Sequence, residues 1–340
     1  MATKTILYVS HADGREVHVL EMNPGSGDLA LIDKVAVTGV AMPMAVSPDR
    51  RYLYVGLRSE PYSVASFRID PASGRLSAIA TTKLPDNFAY ISTDRAGRFL
   101  LGASFAGNRI AVNPIGPHGW VQERPVQVFA TPAAAHCILT DPSNRFVFVP
   151  CRDGNGVVQL SFDAATGRVS PNEPQFVAAK DGAGPRHARF HPNNAFLYLL
   201  NELDGSANVY SIDPGAGTLA LKQTVDALPP GFKGENPAAA DIHLTPDGRF
   251  LYGTVRTSNT IAGYAVDPAE GTLTPIGHWP TEDHPRGFAI CPRGRFLYAV
   301  GLMSHHLQSY RIDGASGALT PLKRLAMGQG PNWIEIVDLP

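Results

Sequence analysis

A turn followed by an aromatic or aliphatic run recurs seven times along these 340 residues, and that recurrence restricts the architecture more than any single residue does. It reads SPDRRYLYVG (47–56), TDRAGRFLLGA (93–103), DPSNRFVFVP (141–150), HPNNAFLYLL (191–200), TPDGRFLYGT (245–254) and CPRGRFLYAV (291–300), with ILYVS (6–10) as a seventh copy lacking its turn. The anchors Ile6, Tyr52, Phe99, Phe146, Phe196, Phe250 and Phe296 stand 46, 47, 47, 50, 54 and 46 residues apart. A period of this size marks an array of units that bury their faces only against one another.

A second signature lies between the anchors: NPGSGDL (23–29), DPASGRL (70–76), NPIGPHGW (113–120), DAATGRV (163–169), DPGAGTL (213–219), DPAEGTL (267–273) and DGASGAL (313–319). Asp or Asn opening a turn and Gly near its end is hairpin chemistry, because the side chain caps the turn and Gly takes the left-handed position. The flanks alternate with a period of two, as in Val64 to Ile69, and no segment has a sustained helical period. Each unit therefore reads as strand A, a PDGR-type turn, strand B, a loop, strand C, a DPxxG turn and strand D. Four strands in about 45 residues make one propeller blade. GPNWIEIVDLP (330–340) resembles the strand A segments but has no strand B after it, and the N-terminus starts at a strand B. Together they complete one blade. The expected fold is all-β: a seven-bladed β-propeller forming a single domain over 1–340, closed by the C-terminal strand A on the N-terminal strands B to D.

Net charge is −1 and charged residues are 17% of the chain, which gives no electrostatic basis for binding nucleic acid or a membrane surface. No run of 18 apolar residues and no charged-then-apolar leader is present, so the chain reads as soluble and cytoplasmic. Cys137, Cys151 and Cys291 are odd in number and lack metal or disulfide spacing, as expected of buried thiols in a reducing compartment.

In a propeller, strand A lines the central channel, and the start of A and the end of B open on one face. His136, Arg186, His187, Asp241 and Arg286 stand at strand A starts. Six residues beyond the strand B anchors stand Arg58, Phe105, Arg152, Glu202, Arg256 and Leu302, with His305 and His306 in the next turn. Each Arg can bridge blades as an ion pair, yet packing does not ask for charge at equivalent exits of different blades. A pocket of guanidinia with one carboxylate and a histidine suits an anionic or polyhydroxy small molecule. Histidine near neutrality can move a proton, and arginine can stabilise an oxyanion. No HxH or clustered Cys/His pattern is present, so the expectation is no metal and no cofactor. No serine elbow, Walker loop or dinucleotide fingerprint is present, leaving water as the nucleophile.

GAGPRHARFHPNNAFLYLLNEL (182–203), AADIHLTPDGRFLY (239–252), PTEDHPRGF (280–288), SHH (304–306), GQGPNW (328–333), MAVSPDRRYLYVGLR (44–58) and ISTDRAGRF (91–99) resemble the seven-bladed lactonase family, and within it the bacterial cytoplasmic 6-phosphogluconolactonases. The resemblance implies a metal-free hydrolase that opens a sugar-acid lactone in carbohydrate metabolism, in the pentose phosphate pathway. It also covers fungal lactonising enzymes acting on carboxy-muconate, whose His, Arg, Glu and second Arg fall on His136, Arg186, Glu202 and Arg256. These four are the expected catalytic residues, with His136, oriented by Glu202, as base and Arg186 and Arg256 on the oxyanion. His187, Asp241, Arg286 and Arg58 are expected to bind substrate. Asn236-Pro237 and Leu302-Met303 replace an Arg-Trp and a Gln-Lys pair of the family pattern, which points towards an unphosphorylated lactone. A lactonising isomerase using the same pocket, and a non-catalytic interaction propeller, are the alternative functions. The long stretch around Leu228 to Gly234 is either a lid or a surface loop.

Overall fold

The computed structural model describes residues 4–339. It contains 28 strands in seven four-stranded antiparallel sheets and no helix among those residues. The chain begins with β1 (Thr5–His11), β2 (Glu16–Met22) and β3 (Leu29–Ala36). Six complete sheets follow. The first is β4 (Ala41–Val46), β5 (Tyr52–Leu57), β6 (Ser63–Ile69) and β7 (Leu76–Lys83); the second is β8 (Phe88–Thr93), β9 (Phe99–Ser104), β10 (Arg109–Pro114) and β11 (Gln127–Ala130). The third is β12 (Leu139–Thr140), β13 (Phe146–Cys151), β14 (Gly156–Asp163) and β15 (Arg168–Ala178); the fourth is β16 (Pro185–Phe190), β17 (Phe196–Asn201), β18 (Ser206–Asp213) and β19 (Thr218–Asp226). The fifth is β20 (Ala239–Leu244), β21 (Phe250–Val255), β22 (Thr260–Val266) and β23 (Leu273–Pro280). The sixth is β24 (Pro285–Ile290), β25 (Phe296–Gly301), β26 (His306–Ile312) and β27 (Leu319–Ala326). Finally β28 (Pro331–Asp338) pairs with β1, completing a sheet in the order β28-β1-β2-β3. This is the seven-bladed propeller, with the closure read from the chain ends.

The two repeated signatures meet between blades. Every strand B is buried along its whole length, because a sheet packs on each of its faces, whereas the outermost strands alternate towards solvent. Each anchor side chain covers the glycine of the following blade's C–D turn: Ile6 on Gly74, Tyr52 on Gly119, Phe99 on Gly167, Phe146 on Gly217, Phe196 on Gly271, Phe250 on Gly317 and Phe296 on Gly27. These seven glycines have φ between 66° and 82°. A Cβ on any of them would lie 2.1 to 2.6 Å from an anchor atom. Only glycine satisfies both the backbone and the space. Tyr8, Tyr198, Tyr252 and Tyr298 donate hydroxyl hydrogen bonds to Gly74, Gly271, Gly317 and Gly27 carbonyls at 2.9, 3.0, 2.6 and 2.8 Å. The repeat is thus one blade-to-blade joint used around the ring.

The inner strands touch one another around the axis, and their starts are irregular in a way the sequence pattern did not reveal. A β-bulge interrupts pairing at the start of β4, β8, β16, β20, β24 and β28. In the remaining blade β12 is two residues long, and the segment before it holds on through an isolated Ala135–Cys151 bridge. Bulges re-aim a side chain by inserting an extra residue. Here the extra residues include Arg186, Arg286 and Asn332.

Candidate active site

Glu202 is the centre of the mouth. It follows the last residue of β17 and is 8% exposed. Its Oε1 accepts from Arg256 Nη2 at 2.8 Å and Arg152 Nη1 at 3.2 Å, and its Oε2 lies 2.9 Å from Arg186 Nε. Burial raises the Glu202 pKa, but Arg186, Arg256 and Arg152 outweigh it and bring the carboxyl down to about 2. Arg186 is completely buried. Its Nη1 donates to the Ala240 carbonyl of the next blade, and burial lowers its pKa to about 10. Arg256 Nε donates to Ala238 O at 2.7 Å. Among the described residues, Arg186 Nη2 and Arg256 Nη1 have no protein partner.

His136 lies before β12 rather than within a strand, held by its backbone N–H to Pro150 O at 2.9 Å. Its Nε2 is 3.9 Å from Glu202 Oε2, too far for a hydrogen bond. The expectation that Glu202 orients His136 is therefore corrected: the pair is an electrostatic contact. His136 Nδ1 is sealed and without a partner, so Nε2 is the nitrogen open to the mouth. Burial, then the charges of Arg186, His187 and Arg286, hold the imidazole well below its ordinary pKa, so it is neutral at pH 7. Phe105 packs edge-on against His136 at 5.6 Å and under the Arg152 guanidinium at 4.5 Å.

The four residues expected to bind substrate separate into two kinds. Arg286 has no hydrogen bond and no ion pair with any described residue, and its Nε is buried without a partner. Burial and the neighbouring Arg186, Arg256 and Arg58 guanidinia keep its pKa well below the ordinary arginine value. Arg58 bonds Asn87 Oδ1 at 2.6 Å and has no carboxylate partner. Both cations open onto the mouth without a counter-ion. Asp241 and His187 lie deeper. Asp241 is 4% exposed, with Oδ1 at 2.8 Å from His187 Nδ1 and Oδ2 at 3.2 Å from His243 Nε2. Both oxygens thus have protein partners, His187 and His243. His187 is neutral, lowered to about 3 by burial and then by Arg186 against the pull of Asp241. Its ring sits 5.2 Å from His136 and edge-on to Tyr90 and Trp333.

Trp333, Asn332 and Tyr90 were not singled out in the sequence. Asn332 occupies the same bulge as Arg186 and Arg286, at the equivalent position of GPNW, GPRH and HPRG. His305 accepts from Gly330 N–H at 3.1 Å and His306 contacts its own turn at Ser304 O, so both brace loops. The stretch around Leu228 to Gly234 forms no strand, and its end reaches the mouth, where Asn236 O accepts from Thr257 Oγ1 at 2.6 Å. A cavity of about 560 Å³ opens at the far ends of the inner strands and is lined by Tyr90, Arg95, Arg189, His243 and Glu335.

Residues 5–336 match the model of the family described as Lactonase, 7-bladed beta-propeller. The chain belongs to the seven-bladed β-propeller lactonase family. It is 41% identical to the 6-phosphogluconolactonase of Pectobacterium carotovorum subsp. carotovorum (strain PC1) over 334 residues, which cover 98% of this chain and 99% of that protein. The enzyme of the same name from Serratia proteamaculans (strain 568) is 40% identical over 334 residues, with the same shares covered. Among solved structures, the periplasmic gluconolactonase PpgL of Pseudomonas aeruginosa superimposes with a TM-score of 0.91 at 28% identity, covering 99% of this chain and 100% of that one. A Lactobacillus plantarum protein, 23% identical with a TM-score of 0.89 over 99% of this chain and 100% of its own, shares the fold. The Asn236-Pro237 and Leu302-Met303 departures lie beside the mouth: Pro237 O accepts from Thr257 N–H, Leu302 N–H bonds His284 O, and Met303 is 61% exposed.

Proposed function

We propose that this protein hydrolyses a sugar-acid lactone at the mouth built around Glu202, with the phosphorylated aldonolactone, 6-phosphogluconolactone, as its preferred substrate. The observation that carries the reading is Arg286, a largely buried guanidinium with no anion beside it. Arg186 and Arg256 pair with a single carboxylate, Glu202, and Arg58 and Arg286 add two cations with no carboxylate of their own, while Arg152 has Asp153 as a second partner at 2.8 Å. Burying such a surplus is costly unless an anion joins it. A phosphate or a developing carboxylate supplies that anion, and guanidinia bind either one bidentately. The names of the relatives support the same substrate class.

His136, neutral at Nε2, takes a proton from water as the oxygen attacks the lactone carbonyl. The charge that develops on the carbonyl oxygen faces Arg286 and the spare nitrogens of Arg186 and Arg256. Glu202, 3.9 Å from Nε2, stabilises the imidazolium formed in that step. The imidazolium then protonates the departing ring oxygen, and the acid leaves as its carboxylate. With a pKa of about 2, Glu202 is a poor base and acts as a fixed charge. Three free, buried cysteines support a reducing, cytoplasmic location. No described helix is long and apolar enough to cross a membrane. None of the relatives named above is described as a lactonising isomerase or as a scaffold.

A pH-indicator assay over 6-phosphoglucono- and glucono-lactones and a muconate tests this directly, since each ring opening releases one acid. The expected result is acid release from the lactones, with kcat/KM for the phosphorylated one at least about tenfold higher, the value of one added charge-assisted contact. Preference for the plain lactone would assign the Asn236-Pro237 and Leu302-Met303 replacements to loss of the phosphate site. Loss of diene absorbance from muconate without lactone hydrolysis would overturn the reading.

A further inference from the structure

We propose that His11, Glu16 and His18 form a binding site for one divalent transition-metal ion of the zinc class, outside the catalytic mouth. His11 ends β1 and faces Glu16 directly across the β1–β2 hairpin, and His18 lies two residues on along β2, on the Glu16 face. His18 Nε2 is 2.8 Å from Glu16 Oε1, and the two imidazole rings are 3.9 Å apart between centroids. One ligand atom from each of the three residues lies within 4.8 Å of the others.

The independent observation is His11 itself. It is 0% exposed, and neither of its ring nitrogens has a hydrogen-bond partner. A buried polar group left in this state costs about 1–3 kcal/mol. No described side chain satisfies it, but a metal ion accepts the lone pair of one imidazole nitrogen and removes that part of the deficit. Two imidazoles and a carboxylate suit zinc and its neighbours and not magnesium or calcium, which favour oxygen donors. Glu16 has a side chain 25% exposed, so an ion can enter from its side and keep water as a fourth ligand. Lys34 opposes His18 across β2 and β3 but is exposed and free to turn outward.

The position gives the site a purpose. The loop before β28 passes over the cluster: a Cβ on Gly328 would lie 2.5 Å from Glu16 Oε1 and 2.9 Å from His11. An ion held there ties the first hairpin together beneath the strand that closes the ring, and an ion that binds only the folded state stabilises it by mass action.

The test uses full-length protein stripped with chelator and re-equilibrated with zinc chloride. Bound zinc is counted by elemental analysis after gel filtration, and thermal melting is followed in parallel. The expected result is one zinc per chain, a Tm raised by about 3 °C or more, and visible absorption of the cobalt(II) form. Glu16→Gln and His18→Ala should each lower zinc affinity at least about tenfold, as loss of one of three protein ligands requires. Folding of both variants is checked by circular dichroism, and Glu16→Gln, partly exposed and isosteric, tests the site even where His18→Ala unfolds. Less than about 0.1 zinc per chain, or unchanged zinc affinity in Glu16→Gln, overturns the proposal.

Discussion

Glu202→Gln is expected to lower stability by about 3–5 kcal/mol and to abolish most hydrolysis. The substitution keeps shape and removes one charge, leaving the fully buried Arg186 beside Arg256 and Arg286 with no carboxylate among them, while Arg152 keeps only Asp153. Breaking a buried ion pair from one side costs that much because the partner charge stays behind. In a chain of this size each kcal/mol moves Tm by about 2 °C, so a drop of about 6–10 °C is expected in a melting experiment. The pH dependence fixes the cause. The folded carboxyl titrates at about 2, below its ordinary value of 4.5. Its contribution is therefore complete above pH 4.5 and fades as pH falls towards 2. The gap between wild type and Glu202→Gln should shrink over that range. A Tm within about 2 °C of wild type at pH 7 would show that the guanidinia do not depend on Glu202.

His136→Ala is expected to lower kcat/KM for lactone hydrolysis by about 10²–10⁴ without unfolding the ring. Its imidazole makes no hydrogen bond within the protein and contacts its neighbours through ring edges and the 3.9 Å approach to Glu202. Its loss removes a proton acceptor and little packing. Because the imidazole is held well below its ordinary pKa, the wild-type rate should show no ionisation near 6.5 between pH 5.5 and 7.5. Steady-state rates across that range check both points. Activity of His136→Ala within about threefold of wild type excludes it as the base.

The ring was legible because its two signatures are the two halves of one joint. An aromatic anchor and a turn glycine recur at fixed spacing since each must meet its counterpart in the next blade. The gathering of Arg186, Glu202, Arg256 and His136 was legible for the same reason: equivalent positions in a ring converge on its axis. What lay beyond reach depended on local register. Arg186 and His187 were both legible from a strand A start, but the bulge that brings these adjacent residues into one channel was not, because the two-residue alternation of a strand hides it. Asp241 stands at an inner-strand start like the binding residues, yet its oxygens turn to His187 and His243. Whether a carboxylate faces a ligand or a neighbour is decided by distances of an ångström. His11, Glu16 and His18 escaped notice because their spacing matches no short metal motif; the β1–β2 register brings them together.

The most direct test of the mouth as the reaction site is a crystal structure of the protein with its product acid, 6-phosphogluconate or gluconate. The expected complex has a carboxylate or phosphate oxygen hydrogen-bonded to Arg286, with the carboxyl carbon about 3–4 Å from the water site beside His136 Nε2. An acid seated instead in the 560 Å³ cavity against Arg189 and Arg95, with Arg286 untouched, would contradict it.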